Sequence, residues 1–206
     1  MYIPNKFKEE RRDVLVEFIR QNSFGILVTS NQNNIDTTHL PFMIDENEGE
    51  NGNLIAHFAK ANSHWKRIED STNALVIFHG PHSYISPEWY SSGELIPTWN
   101  YAAVHVRGKI TITHDINNLR TMAFDLVKMH ETSESSNWQV EKHMDVVEKL
   151  LPGIVGFTLE IESIEGKFKF NQNRSKEDQQ GVVCHLEKSD CPIEQSVAEI
   201  MKKNLD

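Results

Sequence analysis

The stretch Val104-His105-Val106-Arg107-Gly108-Lys109-Ile110-Thr111-Ile112-Thr113-His114 decides the fold. β-Branched residues recur in it at alternate positions, the period of a strand, so the spacing predicts a strand from Val104 to His114. Upstream, Leu54 to Ala59 and Ala74 to His79 are short apolar runs that read as strands, with a helix-like segment from Ser63 to Glu69 between them. Further back, Phe24 to Ser30 and Ile35 to Ile44 flank the turn-forming cluster Asn31 to Asn34, which predicts a hairpin. The acidic stretch Asp45 to Asn53 holds Gly49, Gly52 and no apolar residue, and reads as an exposed loop. Val14, Leu15, Phe18 and Ile19 share one side of residues 8 to 21, an amphipathic helix.

Downstream, Leu119, Met122, Ala123, Leu126, Val127 and Met129 repeat at helical spacing from Asn117 to His130, with Asp115 or Asn117 as the cap. A polar linker, Glu131 to Asn137, leads to a helix from about Val140 to Leu151 that Pro152-Gly153 ends. Val155 to Ile164 returns to strand, Asn171 to Ser175 forms a turn, and a final helix lies near Ile193 to Asn204. At least six strands follow one another in hairpin-like succession without strict βαβ alternation. The expected class is therefore mainly β (α+β), an antiparallel sheet closing into a small barrel with helices outside. One domain, residues 1–206, is expected, with a helical insertion at about 117–151 and a C-terminal helical extension at about 176–206.

A chain of 206 residues with 38% hydrophobic content buries enough surface to fold without disulfides or a structural metal. Its apolar runs are too short to span a bilayer, and Met1 to Lys6 lead directly into a charged helix, so neither a membrane span nor a secretion signal is expected. Two cysteines, Cys184 and Cys191, outside a Cys-x-x-Cys spacing make a reducing cytoplasm the default. The net charge of −9 argues against a surface built mainly for nucleic acid, although a local basic patch remains compatible with it.

Gly-x-Gly-x-x-Gly, Gly-x-x-x-x-Gly-Lys-Ser/Thr, Gly-x-Ser-x-Gly and His-Glu-x-x-His do not occur, which removes the main support for Rossmann, triphosphatase, α/β-hydrolase and zincin chemistry. His39, His57, His79, His82 and His105 lie on or beside strands, but no carboxylate or thiol completes a metal-ligand spacing, and no metal is expected. In Leu54 to Arg67 a strand runs out through His57 and Lys60, and a short helix starts at Asn62 or Ser63. Backbone N–H groups there, beside Lys and His donors, suit a phosphate monoester; equally, Lys60, Lys66 and Arg67 make a solvated face and Ser63 only a cap. Pro97-Thr98-Trp99-Asn100-Tyr101 precedes the long strand with two aromatics and an amide. Thr38-His39-Leu40-Pro41 adds a hydroxyl, an imidazole and a proline. In Lys167-Phe168-Lys169-Phe170 the lysines share one strand face and the phenylalanines the other.

Met1-Tyr2-Ile3-Pro4, Thr38-His39-Leu40-Pro41, His57-Phe58-Ala59-Lys60-Ala61-Asn62, Tyr84-Ile85-Ser86-Pro87-x-Trp89-Tyr90, Pro97-Thr98-Trp99-Asn100-Tyr101 and Lys167-x-Lys169-x-Asn171-Gln172-Asn173-Arg174 together resemble the PaiB family of FMN-binding negative transcriptional regulators, in order over essentially the whole chain. The resemblance implies a split β-barrel of the FMN-binding type, assembled as a homodimer with FMN in the cleft between subunits, and a role in regulating protease production and sporulation genes. It also implies that His57, Lys60 and Asn62 meet the phosphate, that Thr38, His39, Leu40 and Pro41 lie near the ring, and that Trp99, Asn100, Lys169 and Gln172 complete the cleft.

Two classes of function are compatible with these residues. One is a regulator. The helices at 117–130 and 140–151 are too far apart for a helix-turn-helix, so any DNA contact is expected through the dimer, by Lys6, Lys8, Arg11 and Arg12 or a joint patch. The other is a flavin-dependent oxidoreductase or flavin reductase acting on an unidentified small molecule. Haem binding or breakdown is a weaker alternative.

Overall fold

The computed structural model describes residues 1–31, 34–93, 96–131 and 139–205. The centre of the expected Asn31 to Asn34 turn and all but the first residue of the expected Glu131 to Asn137 linker lie outside them. The strands are Lys8–Glu9 (β1), Phe24–Asn31 (β2), Asn34–Pro41 (β3), Met43–Asp45 (β4), Asn53–Ala59 (β5), Thr72–Ile85 (β6), Thr98–Thr113 (β7) and Ile154–Lys169 (β8). The α-helices are Arg12–Gln21 (α1), Ile116–His130 (α2), Met144–Leu150 (α3), Lys176–Leu186 (α4) and Pro192–Lys203 (α5). Residues 1–18, 79–105 and 165–206 form one compact unit, and residues 19–78 and 106–164 form another.

In the second unit the strand order is β3-β2-β6-β7-β8-β5-β4. β2 runs antiparallel to β3, from Phe24↔Pro41 to Asn31↔Asn34, and antiparallel to β6 through Ile26↔Ile77 and Val28↔Leu75. β5 pairs antiparallel with β8 from Asn53↔Glu160 to Ala59↔Ile154, and β4 with β5. β3 also approaches β5, which brings the two ends of the order together, as closure of a small barrel requires. Alternation sends Leu27, Leu54, Phe58, Val76, Phe78, Phe157 and Leu159 into the core. Phe42 lies 5.5 Å from Phe78 and 6.1 Å from Phe157, and Phe58 lies 4.9 Å from Phe157, measured between ring centroids. Burying each of these rings contributes about 1.5–3 kcal/mol.

Two glycines set the close approaches of this unit. A Cβ on Gly108 would fall 1.9 Å from the Glu160 carbonyl oxygen, so β7 and β8 meet there only without a side chain. A Cβ on Gly156 would fall 2.7 Å from Met122 Sδ and 2.8 Å from Leu119 Cδ2, so α2 seats its buried face directly on β8. Asp115 caps α2 by accepting hydrogen bonds from the Asn117 and Asn118 N–H groups, both at 3.0 Å.

In the first unit β1 pairs with the far end of β8 through Lys8↔Lys167. Phe18 stands 5.2 Å from Phe168, and α4 and α5 pack with Val182, Val183, Leu186, Val197, Ala198 and Met201 buried.

The structure departs from the sequence reading in extent. β6 continues six residues past the expected end at His79 to Ile85, across Gly80 and Pro81. β7 begins at Thr98, so Trp99, Asn100 and Tyr101 lie within the strand and not before it. The expected strand Ile35 to Ile44 breaks at Phe42, whose N–H donates to the Ser23 carbonyl at 2.9 Å. The Ser63 to Glu69 segment is a single 3-10 turn, Ser63–Arg67, and the helix expected from Val140 is a 3-10 turn followed by the short α3. The C-terminal helical extension expected at about 176–206 is two helices, α4 and α5, and Gly181 and two glutamines dilute the apolar face of α4. Among the described residues, no helix is long and apolar enough to cross a membrane.

Candidate functional site

The residues singled out between positions 38 and 62 all belong to the second unit, and a histidine ties them together. His64 is 2% exposed. Its Nε2 lies 2.8 Å from Thr29 Oγ1 and its Nδ1 lies 2.8 Å from Thr38 Oγ1, while its ring packs 5.4 Å from Phe58. Asn62 accepts a hydrogen bond from the His64 N–H at 2.9 Å and donates its amide to Thr38 Oγ1 at 3.2 Å. Burial pushes the His64 imidazole below its ordinary value; Asp36 works the other way and Arg67 adds to the lowering. A neutral ring suits two hydroxyl partners, since one nitrogen donates while the other accepts. Nearby, Arg67 grips Asp36 through hydrogen bonds of 2.7 and 2.5 Å, and this holds the Asp36 carboxyl below the usual carboxylate range.

One N–H group at the start of the 3-10 turn, that of His64, is thus taken by Asn62. Lys60 is exposed, and its backbone is clamped on both sides: its N–H donates to the Gly153 carbonyl at 2.8 Å, and its own carbonyl accepts from Trp65 Nε1 at 3.0 Å. Among the described residues no carboxylate pairs with the Lys60 ammonium. His57 projects from β5 on the face opposite Leu54, Ala56 and Phe58, half-buried, and burial pushes its imidazole down. Near neutral pH it offers a hydrogen bond and not a charge. Trp65 meets His114 edge-on at 5.4 Å with Lys66 Nζ 5.6 Å over its ring. Sequence alone gives neither His64 nor the Trp65–His114 pair a role: His64 and Trp65 share the run Leu54 to Arg67, whereas His114 ends the strand read from Val104.

Strand alternation divides Thr38-His39-Leu40-Pro41. Thr38 and Leu40 turn inward, Leu40 at 8% exposure, whereas His39 and Pro41 turn outward. His39 lies nearly parallel to the exposed Phe24, 6.2 Å away at 28°.

Trp99, Asn100, Lys169 and Gln172 belong to the first unit. Trp99 is 53% exposed and meets Tyr84 edge-on at 6.0 Å. Asn100 is fully buried; its amide donates to Met201 Sδ at 3.3 Å and its Oδ1 is unpartnered. Lys169 donates to Thr98 Oγ1 and, at 2.6 Å, to the Trp99 carbonyl. Burial, then the charges of Lys167 and Arg174, push its ammonium pKa down. Gln172 serves its own turn, accepting from the Phe170 N–H at 2.7 Å and donating to the Phe168 carbonyl at 2.5 Å.

The donors carried by this corner are of the kind a phosphate monoester needs: the Lys60 ammonium on a fixed backbone and the His57 imidazole, with hydroxyl and amide groups locking the turn. Among the described residues, eight strands, five α-helices and an antiparallel order make a split-barrel protein. The same fold occurs in a conserved hypothetical protein of Mycobacterium tuberculosis, with a TM-score of 0.58 at 9% identity over 82% of this chain and 90% of that one. It occurs too in a FAD and heme binding protein of Mycobacterium smegmatis, with a TM-score of 0.56 at 11% identity over 79% of this chain and 73% of that one. Residues 1–163 match the family described as "Putative FMN-binding domain"; the chain belongs to that family, and FMN is the cofactor this membership assigns. It is also 34% identical over 205 residues, 100% of this chain and 98% of the relative, to the Bacillus subtilis protein named "Protease synthase and sporulation protein PAI 2".

Proposed function

We propose that this chain is a cytoplasmic, homodimeric FMN protein of the PaiB type that acts as a negative regulator of protease-production and sporulation genes. The observation that carries the reading is the 34% identity to the Bacillus subtilis protein over nearly the full length of both chains. Lys60 and His57 meet the FMN phosphate, the first with charge and the second with a hydrogen bond. Thr38 and Asn62 act through His64 to hold the corner in place, and His39 and Pro41 face the ring. Bound FMN supplies an isoalloxazine able to take up and release electrons; the residues named here bind and orient it.

The dimer is supported by the outward face of β3, β2 and β6. Its rows are His39–Ile26–Ile77 and Thr37–Val28–Leu75, and Ile35 stands opposite Ser30, with no Asp, Glu, Lys or Arg among these residues. Phe24 at 66% and Ile35 at 73% exposure stand on it. Arg107 and Glu162 border it beside Val28, Ile35 and Leu75. Two copies of a chain with net charge −9 repel each other, so this charge-poor patch is where they pack.

Regulation is proposed to be indirect. Of the cations expected to touch DNA, Lys8 pairs with Glu10 and Arg11 with Glu9. α5, the second of two packed helices, carries Glu194 and Glu199 as well as Lys202 and Lys203. The test is a deletion strain complemented with wild type or Lys60→Ala, read by protease-gene transcripts, together with gel shifts of the purified chain at physiological salt. Transcripts rising in the deletion and restored only by wild type, with no sequence-preferring shift, support the reading. Unchanged transcripts overturn it, and a sequence-specific shift replaces the indirect route with direct binding.

A further inference from the structure

In the first unit the last residues of β6, the first of β7 and the last of β8 lie side by side. Strand alternation sends Ile85, Asn100, Ala102 and Phe170 into the core and leaves Tyr84, Trp99, Tyr101, Lys167 and Lys169 on the opposite face. Contacts across the strands show that these side chains share it. Tyr84 meets Trp99 edge-on at 6.0 Å, and Lys167 Nζ lies 5.2 Å over the Tyr101 ring. Trp99 and Tyr84 are both exposed.

The cations of this face have no counter-ion. Among the described residues, Lys167, Lys169 and the neighbouring Arg174 form no ion pair. Lys167 is 9% exposed, its ammonium between the rings of Tyr101 and Tyr2, the latter at 5.5 Å, and it makes no hydrogen bond there. Its Nζ is nevertheless not an enclosed atom. Lys169 uses two of its three N–H donors on Thr98 Oγ1 and the Trp99 carbonyl, and one remains. Arg174 holds its guanidinium 5.7 Å over the Tyr90 ring. Glu165, two positions before Lys167, is engaged by the Met1 ammonium at 2.9 Å. Burial, then the charges of Lys167 and Arg174, disfavour the charged form of Lys169, so the three cations act on one another. In a chain of net charge −9 this cluster runs against the average, and an anion bound to it relieves the repulsion.

We propose that this face binds a nucleoside diphosphate as a second ligand in addition to FMN, with the base on the Trp99 ring against Tyr84 and the phosphates on Lys167, Lys169 and Arg174. A simple anion would use the cations and leave the aromatics bare, and an uncharged aromatic would do the reverse. A nucleotide uses both: an exposed indole stacks on any base, and a terminal phosphate of about −1.5 to −2 charge with an inner one of about −1 matches three cations. Mixed aromatic and basic rows also hold single-stranded nucleic acid, but a cluster confined to the end of β8 in an acidic chain fits one small ligand and not a long strand. The argument is independent of the FMN reading, whose phosphate residues, His57 and Lys60, belong to the other unit.

The test is calorimetric titration of the purified full chain, with and without FMN, against ADP, AMP, adenosine and inorganic pyrophosphate. ADP should saturate one site per chain in both preparations, with AMP weaker and adenosine and pyrophosphate each weaker by about tenfold or more. Trp99→Ala and Lys169→Met should each weaken ADP about tenfold with FMN affinity unchanged, whereas Lys60→Ala weakens FMN and leaves ADP unaltered. Lys149→Met, the same charge change on α3, should alter neither, and far-ultraviolet circular dichroism checks that each variant is folded. No saturable ADP binding up to about 1 mM, the upper end of ordinary metabolite affinities, overturns the proposal. So does displacement of FMN by ADP, or a parallel loss of both ligands in Lys169→Met, since either makes this face part of the FMN site. Equal affinity for ADP and pyrophosphate overturns it in favour of a simple anion site. A short oligothymidylate that binds more tightly than ADP, with a steep salt dependence, overturns it in favour of a nucleic-acid strand.

Discussion

Replacing His64 by alanine probes the knot that holds the phosphate corner. The substitution removes two hydrogen bonds, to Thr29 and Thr38, each 2.8 Å long. Each is worth about 1 kcal/mol net, and the enclosed Thr29 hydroxyl, 4% exposed, loses its partner. The ring also leaves a cavity beside Phe58, so the total cost is about 3–5 kcal/mol. In a chain of this size that lowers Tm by roughly 6–20 °C. The pH dependence is a second signature. Burial holds the folded His64 below its ordinary value of 6.5, so below that pH the unfolded chain binds a proton that the folded chain refuses. Stability therefore falls as pH drops from about 7 toward the depressed folded value, by at most about 1.4 kcal/mol per pH unit for one imidazole. The alanine variant retains only the same-signed contributions of His57 and His79, and its slope should be shallower. Urea unfolding at pH 7.5 and 5.5 measures both quantities. A loss under about 1 kcal/mol, or the same slope in both proteins, would refute the picture of a buried neutral imidazole locking the turn.

Other substitutions test neighbouring arguments. Lys60→Ala should weaken FMN binding by roughly tenfold to a hundredfold, the equivalent of about 1.5–3 kcal/mol, in calorimetry; wild-type affinity would remove the ammonium from the phosphate site. Gly108→Ala drives a methyl group against the Glu160 carbonyl and should destabilise by about 3 kcal/mol or more in chemical denaturation, with a wild-type midpoint contradicting the close approach. Phe42→Ala, at the meeting of two ring contacts, should cost about 3–5 kcal/mol in the same assay. Ile35→Asp places a charge on the exposed apolar face and should shift the chain to monomer in light scattering while its circular dichroism is unchanged; a persistent dimer would move the interface elsewhere.

Period-two runs of β-branched and aromatic residues made the barrel strands legible, because burial on one face imposes that period directly. What hid the true strand ends was local chemistry that tertiary pairing overrides: Gly80 and Pro81 look like an end to β6, yet the backbone stays extended to Ile85. α4 was legible only as part of the helical extension at about 176–206, because Gly181, where a Cβ would strike the Trp89 carbonyl at 2.2 Å, weakens the helical pattern. At the corner, Asn62 was visible as a cap, and the structure has it capping the 3-10 turn. His64 was not, because a histidine bridging two threonines at 35 and 26 residues' separation leaves no spacing to read.

The division of Thr38-His39-Leu40-Pro41 between the two sides of β3 bears on how such a protein can diversify. Positions 38 and 40 answer to packing, so their permitted alphabet is narrow and set by volume and hydrogen bonding. Positions 39 and 41 answer to whatever lies outside the sheet, and substitutions there can retune recognition at little thermodynamic risk. A saturation library across the four sites should therefore sort into two tolerance classes that alternate along the chain.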